Sequence, residues 1–81
     1  MDSRVIREAL LQRPFIPFLM RLADGRELSL RHPEYLAVSP HHILFINDQD
    51  LAITWIEPLL VVTLDFTNTS QAGKPSNGES N

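Results

Sequence analysis

The spacing of the apolar residues changes at Pro14, and this change limits the folds that the chain can adopt. Before Pro14, apolar residues recur with the spacing of one helical stripe: Val5, Ile6, Ala9 and Leu10. Asp2 or Ser3 can cap the first turn, because either side chain accepts a hydrogen bond from a free backbone N–H group. The pattern predicts a helix over residues 3–12, which Pro14 ends.

After Pro14 the apolar residues either alternate with polar ones or form short runs between turn residues, and both patterns are typical of strands. Asp24-Gly25, between two alternating runs, predicts a hairpin. His32-Pro33 interrupts the run that follows, because proline cannot donate to a strand ladder. Residues 35–38 are then either a short strand or a continuation of the second strand past a bend. The five predicted strands cover residues 18–22, 27–31, 43–46, 51–56 and 59–66.

This order of elements predicts an α+β fold that is mainly β, with one N-terminal helix followed by a five-stranded, strongly bent antiparallel sheet. Strands that follow one another along the chain favour an antiparallel meander. Five strands around a small core, with a helix over one open end or face, indicate a small bent sheet or a partly open barrel.

The composition changes after Phe66, where residues 67–81 contain no large apolar side chain. Such a segment cannot bury enough surface to offset its ordering entropy, so we predict a disordered C-terminal tail. The globular part is then a single domain of residues 1–66. A domain of this size is close to the lower limit for a self-sufficient core, and oligomerisation is a common remedy.

The composition also argues against several classes of protein. With no cysteine among 81 residues there is no disulfide or thiolate zinc site, which favours a cytoplasmic setting. The longest apolar run, residues 59–62, is too short to span a membrane, and charges near the N-terminus leave no signal-peptide segment. Glycine occurs only at positions 25, 73 and 78, so residues 1–66 contain no phosphate-binding glycine loop. We expect no enzyme activity, cofactor, small-molecule substrate or membrane partner.

The three histidines offer two candidate sites, one for a metal ion and one for general-base catalysis. His41-His42 with Asp48 and Asp50 is a candidate metal site, but adjacent residues of an extended chain point to opposite faces, which favours a solvated turn. His32 beside Glu34 is a candidate general base, against the simpler interpretation of a hydrogen-bonded bend. Neither arrangement outweighs its structural alternative, so no metal or catalytic residue is predicted.

Two resemblances to known families are carried by specific residues. A short helix before Arg13-Pro14-Phe15-Ile16-Pro17-Phe18, and then the turn Leu22-Ala23-Asp24-Gly25-Arg26, resemble the start of Sm-like (Hfq-type) proteins, which implies an Sm-like small barrel. The chain is also similar to short bacterial proteins of unknown function with the pattern RPFxPF…LxDGR…HPE(Y/F)(L/I)A, which here includes His32-Pro33-Glu34-Tyr35-Leu36-Ala37. This second resemblance covers most of residues 1–66 and implies no known activity.

Charge is divided unevenly along the chain, whose formal net charge is −3. Residues 2–31 hold six arginines against four acids, whereas residues 32–66 hold five acids and no lysine or arginine. A basic surface of one copy could meet an acidic surface of the next, or it could contact RNA phosphates. The third interpretation is an ordinary surface on which the charges interleave.

We therefore predict a non-catalytic interaction or assembly module that forms a homo-oligomer, because overall acidity repels nucleic acid. The alternative is an Sm-like, ring-forming RNA-binding protein with a riboregulatory role. Trp55 and Tyr35 are expected in the core or in an interface, with base stacking as the alternative. The candidate residues for binding RNA or a partner are Arg4, Arg7, Arg13, Arg21, Arg26, Arg31, Tyr35 and Trp55.

Overall fold

A computed structural model describes residues 1–66, so the predicted tail lies outside the described residues. The fold is α+β and mainly β, as predicted. Two short 3-10 turns, Pro33–Tyr35 and Pro58–Leu60, interrupt the strands. The elements are α1 (Ser3–Leu10), β1 (Phe18–Leu22), β2 (Glu27–Leu30), β3 (Leu36–Val38), β4 (Ile43–Ile46), β5 (Ile53–Ile56) and β6 (Val61–Phe66). No helix among residues 1–66 is long and apolar enough to cross a membrane.

Helix α1 begins as the sequence predicts, with Asp2 as its N-cap: the backbone N–H of Arg4 donates to Asp2 Oδ1 over 2.8 Å. Ile6 and Ala9 are buried on its inner face. The helix ends at Leu10, two residues earlier than predicted. Pro14 disfavours the helical conformation in the residue before it, so a further turn cannot form there.

The strands form two antiparallel sheets of three strands, in the orders β2–β1–β6 and β3–β4–β5. The predicted Asp-Gly hairpin joins β1 to β2, and Gly25 has a φ of 95°, which suits glycine because it has no Cβ. The meander prediction is wrong in this first sheet, because β1 lies between its neighbour β2 and the distant β6.

The predictions of five strands and of a small barrel are not supported, since there are six strands and neither sheet closes. The extra strand arises at Pro33, which cannot donate to a ladder and starts a 3-10 turn between β2 and β3. Consecutive strands therefore enter different sheets. Strand β5 starts at Ile53 rather than at residue 51, because Leu51 has a φ of 62°, in the left-handed region. Strand β6 starts at Val61, because Pro58–Leu60 forms the second 3-10 turn.

One core lies between the inner faces of the two sheets and α1, and every fully buried side chain among residues 1–66 is apolar. Phe15 and Phe18 meet at the corner between α1 and β1, with ring centroids 6.0 Å apart. Phe18 also contacts Phe66 at 5.6 Å. The core residues are Ile6, Ala9, Phe18, Met20, Leu22, Leu30, Leu36, Ile43, Phe45, Ile56 and Val61.

Candidate interaction surface

The side of the β3–β4–β5 sheet that faces away from the core carries only apolar residues. Trp55 lies opposite Leu44 and Ile53 lies opposite Ile46 in the ladder, so these four side chains share one face. Ile53 is 61% exposed and Trp55 is 68% exposed. We call this surface the apolar outer face: Ala37, Leu44, Ile46, Ile53 and Trp55.

The apolar outer face follows from the local sequence. Residues 43–46 form an unbroken apolar run, a pattern typical of strands that are covered on both faces. An antiparallel sheet with one solvated face normally alternates apolar and polar residues instead. Sequence reasoning singled out Trp55 but missed Leu44, Ile46 and Ile53, although the unbroken run could have revealed them.

Leu51 extends this apolar surface beyond the start of β5. It is 63% exposed, and its backbone N–H donates to the carbonyl of Asn47 over 2.8 Å. Its φ of 62° is uncommon for any residue with a branched side chain. The left-handed backbone follows from the turn between β4 and β5, and it places an exposed leucine where glycine is favoured.

An open cleft of about 740 Å³ lies at the other end of β5. The ring centroids of His42 and Trp55 are 5.9 Å apart and the rings meet at 88°, an edge-to-face contact. A second open cleft, of about 810 Å³, shares His42 and Glu57 and includes Leu59, whose side chain is 83% exposed. We call the first one the Trp55 cleft: His42, Trp55, Ile56, Glu57 and Leu60.

Two of the candidate arginines pair with acids close to them in sequence. Arg4 Nη2 lies 3.0 Å from Asp2 Oδ2, and Arg26 Nε lies 2.8 Å from Asp24 Oδ2. The hydrogen bonds to Arg4 lower the pKa of Asp2, and the backbone N–H of Arg26 is the main cause of a lowered pKa at Asp24. These guanidinium groups are therefore engaged locally, close to carboxylates.

Two more arginines pair across the fold. Arg21 contacts Asp65 over 2.6 Å and also pairs with Glu27, so one guanidinium joins all three strands of the first sheet. Arg31 donates two hydrogen bonds to Asp48, of 3.0 and 2.9 Å, and this contact lowers the pKa of Asp48. The second pair links the end of β2 to the turn before β5.

The last two candidate arginines differ from the others. Arg7 donates to the carbonyl oxygen of Val38 over 3.1 Å. Arg13 is exposed and, within residues 1–66, makes no ion pair and no hydrogen bond. The structure therefore distributes five of the six arginines among separate contacts, four of them with carboxylates.

The histidines and Tyr35 are spread over the molecule. Tyr35 is half-buried and its ring contacts that of His32 at 5.6 Å. His41-His42 precedes β4 whereas Asp48 follows it, so the residues of the metal alternative lie at opposite ends of that strand. No group of three or more histidines and acids within residues 1–66 is placed to hold a metal ion.

No protein-family model, curated protein or solved structure matches this chain. The chemistry of its own surface is therefore the basis for assigning a function.

Proposed function

We propose that this protein is a non-catalytic assembly module that associates with further copies of itself. The observation that carries the proposal is the apolar outer face, on which Ile53 and Trp55 stand largely in solvent. A contiguous apolar surface on a small domain marks an interaction site more often than it marks a free surface. A self-associating domain also gains the burial that 66 residues cannot easily supply alone.

The edges of the sheets favour a second copy as the partner. Strand β5 is at the edge of one sheet and β6 is at the edge of the other. Both edges carry exposed apolar side chains, Ile53 and Trp55 on β5 and Val62 and Phe66 on β6. An exposed apolar edge strand is a template for pairing with another chain. If β5 pairs with the β6 of the next copy, the exposed apolar side chains of both strands become buried. Because the two paired edges differ, this head-to-tail contact repeats from copy to copy and builds a ring or a filament.

The alternative function, an Sm-like RNA-binding ring, requires arginines that are free to contact phosphates. Arg4, Arg21, Arg26 and Arg31 instead pair with carboxylates. The net charge of −3 adds a general repulsion of nucleic acid. Self-association is therefore the stronger proposal. We propose an Sm-like order of elements as the finer description of the fold, supported by a helix that precedes the strands and by a single core between the sheets.

Size-exclusion chromatography with light scattering, recorded at 260 and 280 nm, tests this function. The full chain is compared with Ile53→Asp, which places a charge on the apolar outer face. The matched control is Ser29→Asp, which adds the same charge to the exposed outer face of the other sheet. We expect the unmodified chain and Ser29→Asp to be oligomers free of nucleic acid, and Ile53→Asp to be a monomer with an unchanged circular dichroism spectrum.

Two results would contradict the proposal. A monomeric unmodified chain at high concentration would exclude self-association. A ring-sized species with excess absorbance at 260 nm would favour the RNA-binding alternative.

A further inference from the structure

The Trp55 cleft combines an exposed aromatic ring with a carboxylate. Glu57 follows Trp55 by two residues along extended backbone, so both side chains line the same cleft. The edge-to-face contact with His42 holds the indole beside that carboxylate. Within residues 1–66 the side chain of Glu57 makes no ion pair and no hydrogen bond. The cleft therefore presents a carboxylate without an ion pair in residues 1–66 beside an exposed aromatic ring.

An aromatic face beside a free carboxylate suits a guanidinium group. Guanidinium is planar and stacks on indole, and its N–H groups match the two oxygens of a carboxylate. A lysine ammonium lacks the planar shape and the paired donors. The chemistry of the cleft selects arginine.

The chain itself supplies one arginine that is available for this contact. Five of the six arginines in residues 1–66 already donate to a carboxylate or a backbone carbonyl of their own copy. Arg13, at the exposed corner between α1 and β1, does not. We infer that the Trp55 cleft of one copy receives the Arg13 side chain of a second copy. This inference rests on the proposed self-association and names a contact within it.

The contact also explains the division of charge along the chain. Residues 32–66 contribute five acids and no lysine or arginine, while Arg13 lies in the arginine-rich part of the chain. When the arginine-rich part of one copy docks on residues 32–66 of the next copy, opposite charges meet in each interface. The same contact repeats from copy to copy when the association is head to tail.

Charge reversal tests the pair in the full-length chain. The variants are Arg13→Glu, Glu57→Arg and the double variant, and sedimentation velocity measures the association of each. Reversing one partner of a close interfacial charge pair should weaken association by about 30-fold. An equimolar mixture of the two single variants, and the double variant alone, should recover to within about threefold of the unmodified chain, because each again pairs opposite charges.

Trp55 provides a second measurement, because it is the only tryptophan in the chain. We expect its emission to move to shorter wavelength as the unmodified chain associates, and to stay constant with concentration in Arg13→Glu. Both side chains are exposed, so thermal unfolding monitored by circular dichroism should match that of the unmodified chain at low concentration.

Three results would overturn the inference. Single variants that associate normally, while Ile53→Asp does not, would leave the proposed function intact and remove Arg13 and Glu57 from the interface. Single variants that weaken association without recovery in the mixture would show that the two residues do not meet. If Lys74→Gln weakens association and Arg13→Glu does not, the cleft binds Lys74, the only lysine of the chain, which lies outside the described residues.

Discussion

The two sheets share one core but differ on their outer faces. On β2–β1–β6 the outer face is polar apart from Leu19, and Arg21 joins Glu27 and Asp65 across all three strands. On β3–β4–β5 the corresponding positions hold the apolar outer face. Both sheets satisfy the same requirement on the inside, since each supplies buried apolar residues to the core. In the single copy, the outer face of the first sheet therefore suits contact with water, whereas the outer face of the second sheet leaves apolar side chains exposed.

This difference shows where the information on function lies in a small domain. Inner-face residues are fixed by packing, and they would look similar in any domain with these two sheets. A polar, ion-paired outer face is the expected solution for a solvated sheet. An apolar outer face has no such explanation within one copy, and it points to contact with another molecule.

The largest effect that tests the comparison is expected within β5 itself. Ile56 is 2% exposed and faces the core, whereas Ile53 is 61% exposed on the apolar outer face. Ile56→Ala should lower the free energy of unfolding by about 2–4 kcal/mol, because it leaves a cavity. Ile53→Ala should change it by less than about 0.5 kcal/mol in dilute solution. Urea unfolding at low micromolar concentration measures both, and equal losses would mean that the two faces do not differ in the single copy.

A smaller effect separates the turns of the two sheets. Gly25 in the first sheet and Leu51 before β5 both have a positive φ, but only the first is a glycine. Gly25→Ala should lower the free energy of unfolding by about 1 kcal/mol, although a Cβ there meets no atom within 4 Å. Leu51→Gly should raise it by up to about 1 kcal/mol, because relief of left-handed strain exceeds the extra entropy of the unfolded chain.

The Leu51 substitution also separates stability from association. If the strained leucine serves the interface, Leu51→Gly should stabilise the fold and weaken self-association in light scattering. If Leu51→Gly is both more stable and more strongly self-associating, Leu51 is not part of the proposed interface, and its left-handed backbone does not serve association.

The smallest effect concerns the contact between the sheets. Among the ion pairs of residues 1–66, Arg31–Asp48 is the one that joins the first sheet to the turn of the second. Because Arg31 lowers the pKa of Asp48 in the folded chain, the pair stabilises the fold above the ordinary aspartate pKa of 3.8 and stops doing so as the pH falls through the lowered value. Asp48→Asn should lower the melting temperature at pH 7 by less than about 5 °C.

The pH dependence provides the control for that measurement. The difference between Asp48→Asn and the unmodified chain should shrink progressively below pH 3.8, where protonation removes the same charge. Glu34→Gln removes a carboxylate that has no ion pair within residues 1–66 and should leave the melting temperature unchanged at pH 7. A difference that persists at pH 2 would mean that Asp48 acts through its shape rather than its charge.

Local patterns predicted the parts of the fold that local interactions determine. The cap at Asp2, the helix that follows it, the Asp24-Gly25 hairpin and strand β4 all depend on residues close together in sequence. The pairing of β1 with β6 depends on residues about 45 positions apart, and no periodicity within either strand signals it. For residues 35–38 the sequence leaves two alternatives, a short strand or a continuation of the second strand, because it does not show that Pro33 sends consecutive strands into different sheets.

The candidate site was predictable only in part. Trp55 was recognised as a residue of interest, but its exposure depends on which face of β5 turns inward, and one residue of register decides that. The six arginines are identical in sequence terms, and only the folded structure separates the paired ones from Arg13. Leu51 carried no signal, because its left-handed backbone follows from the turn between two paired strands.

The position of β1 between β2 and β6 has a consequence for the order in which the chain folds during synthesis. The β3–β4–β5 sheet pairs only strands that are neighbours in sequence, so its ladder can close as soon as residue 56 has left the ribosome. The first sheet must wait for residues 61–66 to complete it. We expect a nascent chain to expose its apolar outer face before its core is complete, which favours premature contact between neighbouring chains on one messenger RNA.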